Sequence, residues 1–178
     1  TQTSPETQTS PATQKYPILC INLPNDAIGQ NRQERMETRF AQENLQVTFI
    51  EAIPSTSSVI DYYGMDFPVA EGDSPEKVRR VVSCFASHLK AIRYFIDETT
   101  ATKAIICEDD LYIAKEFTQK LTQLEENIPS DCLLVSLGYL IWYWDLAKWA
   151  GNDHNLENLC HMNGDVWGTQ AYLITRDY

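Results

Sequence analysis

The chain has 178 residues, 43% of them hydrophobic and 11% aromatic, which sets it among folded globular proteins and excludes an intrinsically disordered chain. Its formal net charge of −11 would repel a phosphate backbone, so no nucleic-acid partner is expected. No apolar run approaches the roughly 20 residues of a membrane span, so no transmembrane segment is expected.

Residues 1–14 contain two copies of Thr-Gln-Thr-Ser-Pro, followed by Glu6 and Ala12 respectively, and no apolar side chain larger than Ala, so they read as a disordered linker or tail ahead of a folded domain at 15–178. Residues 18–23 form an apolar run stopped by Pro24, followed by a polar loop at 25–30. Asn31 with Glu34 three residues on is a capping box, predicting a helix to about residue 44 that buries Met36 and Phe40. Residues 47–53 make a second strand ended by Pro54, and strand–helix–strand in that order is a parallel βαβ unit. Residues 54–75, rich in Ser, Gly, Pro and Asp, read as loop. In the long helix that follows, Val78, Val81, Val82, Phe85, Leu89, Ile92 and Ile96 define one apolar face. On that count His88 flanks the face and Ser87 points nearly opposite.

The segment Lys103-Ala104-Ile105-Ile106-Cys107-Glu108-Asp109-Asp110 runs from a buried strand straight into three carboxylates. Adjacent acids repel unless a cation sits among them, and carboxylate oxygens suit Mg²⁺ or Mn²⁺. The carboxyl end of a strand is also where open α/β sheets bind ligands. Further on come a helix at 115–127 with Phe117, Leu121 and Leu124 inward, a strand at 132–137, and an aromatic run of Tyr139, Trp142, Tyr143, Trp144 and Trp149. That run reads first as core, with a sugar-stacking platform as the alternative. A strand at 171–175 is expected to be parallel and, with the chain stopping at Tyr178, covered on one face only. The regular alternation predicts an α/β fold with a mostly parallel, Rossmann-like sheet flanked by helices.

Five cysteines without framework spacing favour a reducing, cytoplasmic setting, with peripheral membrane attachment as the alternative. Cys84 and His88, four apart on one helix, could both reach one metal, but no second ligand pair accompanies them. Arg32 and Arg35 near a helix N-terminus point to an anionic partner, since a cation there is otherwise disfavoured. Asp153 and Asp165 are candidate bases for an acceptor hydroxyl, and His154 and His161 are candidate metal ligands.

Four segments in order resemble glycosyltransferase family 25, which includes lipopolysaccharide and procollagen galactosyltransferases. They are Ile21-Asn22-Leu23 with Arg32 and Arg35, then Phe49-Ile50-Glu51-Ala52-Ile53, then Ser83-Cys84-Phe85-Ala86-Ser87-His88-Leu89, and finally Glu108-Asp109-Asp110. Gly168 to Arg176 resembles the strand that follows. The connection from Leu23 to Arg32 is longer than the family's compact arginine-rich turn, and the chain ends where the family continues. The resemblance implies a GT-A-like fold, a UDP-sugar donor with galactose favoured, a glycan or glycosylated acceptor, and Mn²⁺ or Mg²⁺. It also implies inversion at the anomeric carbon, which needs one carboxylate base, for which Asp165 and Asp153 are the candidates already named. Asp110 would be the main metal ligand, with Glu108 binding the metal through water or holding the ribose. Asn22, Arg32, Arg35, Ser87, His88, Glu108 and Asp109 would line the donor site. With acceptor elements missing, the chain would bind donor but transfer sugar poorly. Two other functions fit the residues: a catalytically silent nucleotide-sugar-binding or interaction domain, and a Mg²⁺-dependent phosphoryl-transfer enzyme or hydrolase. The lack of a glycine-rich phosphate loop weighs against the last.

Overall fold

Ile18–Asn22 is buried at every position and forms β1, near the middle of the sheet. The computed structural model describes residues 14–64, 71–138 and 169–177. After β1 come α1 (Ala27–Gln42), β2 (Thr48–Glu51), α2 (Val59–Gly64), α3 (Pro75–Glu98), β3 (Lys103–Glu108), α4 (Phe117–Asn127), β4 (Leu134–Gly138) and β5 (Ala171–Thr175). The sheet order is β2-β1-β3-β5-β4. β1 pairs in parallel with both β2 and β3, whereas β5 runs antiparallel to β3 and to β4. Four strands therefore share one direction and β5 alone is reversed, giving an α/β, Rossmann-like, mostly parallel sheet flanked by helices. Gln14, counted above with the tail, belongs to the fold: its side chain bonds both the N–H and the carbonyl of Gln46. Among the described residues no helix is long and apolar enough to cross a membrane.

Four expectations are corrected. α1 starts at Ala27, not after Asn31, because the Asp26 carboxylate already accepts from the amides of Ile28 and Gly29 at 3.0 and 2.8 Å. The long connection before Arg32 is thus mostly helix. Gly29 disguised it: a Cβ there would stand 1.9 Å from the Leu23 carbonyl oxygen, so this turn tolerates no side chain. The Ser-rich stretch after β2 contains the short helix α2, whose Ile60 is buried under α3. The 171–175 strand, expected to be parallel and half-covered, is antiparallel and interior, with Tyr172, Leu173 and Ile174 buried.

The fourth correction concerns the phase of α3. Its N-terminal half turns Val78, Val82 and Ala86 toward Ile53, Ile60 and Tyr63. Its C-terminal half lays Ala91 and Phe95 on Leu19, Ile21, Ile106 and Ile174 of the sheet. Val82 and Ala91 lie about two and a half turns apart, on opposite sides of the axis, so no single stripe describes the helix. Val81, Phe85 and Ile96 of the expected face are partly exposed, and Ser87 is buried. Ser83 and Ser87 clasp Ile53, Ser83 donating to its carbonyl and Ser87 accepting from its N–H at 2.9 Å. At the far end Arg176 donates to the carbonyls of Phe95, Ile96, Thr99 and Ala101 and stacks 4.8 Å from the Phe95 ring. A guanidinium thus satisfies carbonyls at and just beyond the C-terminus of α3.

Candidate functional site

From β1 the chain moves outward to β2, then crosses back through α3 to β3 on the other side of β1. Strand order therefore reverses in the crevice between the carboxyl ends of β1 and β3, where open α/β sheets take ligands. Asn22 and the acidic motif sit at this crevice, since Ile21 pairs with Glu108 in the strand register.

The three acids differ in their surroundings. Asp109 takes the Asn22 side-chain amide on Oδ2 at 2.7 Å and Arg32 Nη1 on Oδ1 at 3.1 Å. The Asn22 amide also donates to the Gly29 carbonyl at 2.9 Å, tying β1, the first turn of α1 and the acidic motif together. Asn22 Oδ1 is buried without a donor among the described residues. Glu108 accepts from Thr169 Oγ1 at 2.7 Å and faces His88 Nε2 at 3.5 Å, both through Oε1. Asp110 keeps half of its side-chain surface exposed, and its nearest cation is Arg32 at 3.9 Å.

His88 arrives from the buried side of α3, with Nδ1 3.0 Å from the Tyr172 hydroxyl. Burial alone would lower its pKa, but the Cys84 sulfur and the Glu108 carboxylate beside it outweigh burial and hold it up at about 9. Glu108 shifts the opposite way: His88 and, more weakly, Thr169 and Arg32 lower its pKa against the opposing effect of burial. Arg32 sits closer to Asp109 than to Asp110, and His88 balances Glu108, leaving Asp110 the most weakly paired of the three carboxylates among the described residues.

The oxygens left over suit a hard divalent cation. Asp109 commits both oxygens, whereas Asp110 and Oε2 of Glu108 carry no hydrogen bond among the described residues. One or two carboxylates completed by substrate phosphates and water is how Mg²⁺-type ions are usually held. The family model described as glycosyltransferase family 25 (LPS biosynthesis protein) matches residues 15–178. The chain belongs to glycosyltransferase family 25. No curated protein matches it significantly. As a family 25 domain it has a glycosyltransferase role, with a sugar donor and an acceptor as substrates.

The fold of this family 25 domain gathers Asn22, Arg32, His88, Glu108, Asp109 and Asp110 at one strand end. Arg35 lies exposed along α1 and Ser87 directs its hydroxyl to the Ser83 carbonyl at 2.7 Å, so neither joins the cluster. The amides expected to take an anion at the start of α1 are already held by Asp26. Asp153, Asp165, His154, His161 and the aromatic run lie outside the described residues. Gly29, Thr169 and Tyr172 join the site only through the fold, and Cys84 joins it through His88 and Glu108. Only the Cys84–His88 spacing gave a signal, and it lacked a third partner.

Proposed function

We propose that this domain transfers galactose from UDP-galactose to a glycan or glycosylated acceptor, as in lipopolysaccharide biosynthesis, through a GT-A-like, metal-dependent site. The observation that carries this is the half-exposed, weakly paired Asp110 carboxylate, 3.9 Å from Arg32 at the strand-order reversal. In this reading Asp110 and Oε2 of Glu108 would hold Mn²⁺ or Mg²⁺, leaving Oε1 of Glu108 to face His88. When bound, the cation neutralises charge on the departing diphosphate. Asn22 and Asp109 fix the crevice wall, and Arg32 turns part of its guanidinium toward the same diphosphate. Asp153 or Asp165 would take the proton from the acceptor hydroxyl, and in-line positioning of acceptor and donor would supply much of the acceleration. Free thiols at Cys20, Cys84, Cys107 and Cys132 accord with a cytoplasmic location.

Titration calorimetry of UDP with and without Mn²⁺ tests the site. The expected result is that removing the metal, or making Asp110→Asn, weakens UDP at least tenfold, about 1.4 kcal/mol. Equal affinity with and without metal would overturn the metal assignment. Product analysis with UDP-galactose beside UDP-glucose then tests the sugar.

A further inference from the structure

Cys84 and His88 lie one helical turn apart on α3 and supply two of the ligands a metal would need. The structure supplies the third. One ligand atom each from Cys84, His88 and Glu108 lie within 4.8 Å of one another. Among the described residues this is the cluster whose donors converge, whereas Asp109 and Asp110 diverge from it. We propose that Cys84, His88 and Glu108 form a binding site for a borderline-soft divalent metal, with Zn²⁺ as its natural occupant, distinct from the donor-side cation on Asp110.

The donor set selects the metal class. A thiolate is a poor ligand for Mg²⁺ and a good one for Zn²⁺, and a Cys-His-carboxylate trio leaves a tetrahedral fourth position open. The groups behind the ligands are placed as metal sites require. His88 is 7% exposed and its Nε2 is buried without a hydrogen bond among the described residues, while Nδ1 is engaged by the Tyr172 hydroxyl. When Nδ1–H donates to that hydroxyl, the lone pair is left on Nε2, the nitrogen facing Glu108 at 3.5 Å. Glu108 is oriented in turn by Thr169 Oγ1 at 2.7 Å. Cys84 is exposed at the surface and gives the ion a way in. These three donors set a buried imidazole beside a carboxylate and a sulfur, close enough for one cation to bridge them. A bound Zn²⁺ would staple α3 to the acidic end of β3.

The test is optical titration of the whole chain, kept reduced with a phosphine, using Co²⁺ as the spectroscopic stand-in for Zn²⁺. The expected result is a near-ultraviolet thiolate-to-cobalt charge-transfer band that Zn²⁺ abolishes by competition. The band should be absent in Cys84→Ala, whose exposed position leaves folding, read by circular dichroism, unchanged. His88→Gln should weaken Zn²⁺ by about 100-fold or more, since even loss of outer partners costs 10–100-fold. Asp110→Asn should keep the band, which separates this site from the proposed donor metal. No band on adding Co²⁺, or a band that survives Cys84→Ala, would overturn the proposal.

Discussion

The two sides of the sheet are built from similar sequence patterns but packed very differently. On the β1–β3 side, every residue of β1 is buried, four consecutive residues of β3 are buried, and α1 and α3 cover opposite faces. On the α4–β4 side no residue of either element is fully buried, although Phe117, Leu121, Val135 and Leu137 touch the core. Leu133 and Leu134 are 43% and 41% exposed. The polar network that organises the crevice is anchored on the tightly packed side, apart from Thr169 and Tyr172 in and before β5. Fixed geometry at a site needs rotamers locked by their surroundings, and only the first side provides them.

The largest test of this contrast is Gly29→Ala. In an ordinary helix that change stabilises by roughly 0.5–1 kcal/mol. Here the new Cβ would meet the Leu23 carbonyl oxygen at 1.9 Å, and backbone cannot swing aside as a side chain can. The expected outcome is a loss of about 3 kcal/mol or more in urea denaturation, with the Asn22-to-Gly29 bond displaced and UDP binding weakened. A neutral or stabilised variant would show that the start of α1 is loosely held and that the β1–β3 side is not rigid.

Much of this architecture is legible in the sequence, and the misses have physical causes. Continuous apolar runs located the strands, and 3.6-residue periodicity located α1, α3 and α4. Periodicity assumes one partner per helix, so it found Val78, Val82 and Ile92 but missed Ala86, Ala91 and Phe95 of α3, which packs on α2 first and the sheet second. Strand direction is not written in the run 171–175 itself, because the same apolar residues serve a parallel or an antiparallel neighbour. The acids were visible, but their three-way division depends on Asn22, Arg32 and His88 arriving from three other elements. Cys84 and His88 could be paired by spacing alone, whereas Glu108 joins them only through the crossover that sets β3 beside β1.

The second test probes how α3 is fastened on the packed side. Arg176 donates to four carbonyls at and just beyond the end of α3, and its guanidinium stacks on the buried Phe95. Arg176→Met keeps a flexible apolar side chain for Phe95 and deletes every donor. With charge-assisted bonds worth about 1.5–3 kcal/mol and some carbonyls recovering water, the expected loss is about 2–3 kcal/mol. Hydrogen exchange should speed up first in the last turn of α3. Exchange that stays slow there would mean the helix end is held by packing alone.

The smallest effect is expected on the looser side. Glu116 precedes α4 with φ of 60° and no side-chain bond to the helix, so a branched Cα occupies left-handed space without a cap in return. Relieving that conformation with Glu116→Gly gains about 1–2 kcal/mol. Added backbone freedom in the unfolded chain takes back about 0.5–1 kcal/mol, and losing an anion near a helix N-terminus about 0.3 kcal/mol or more. The carbonyl of residue 116 still accepts from Lys120 N–H at 3.0 Å. The net expectation is a gain of a few tenths of a kcal/mol, confined to slower amide exchange in α4 and silent in α3. A loss beyond about 0.5 kcal/mol would mean that the glutamate's charge outweighs its strain, since that exceeds the usual range for a surface change.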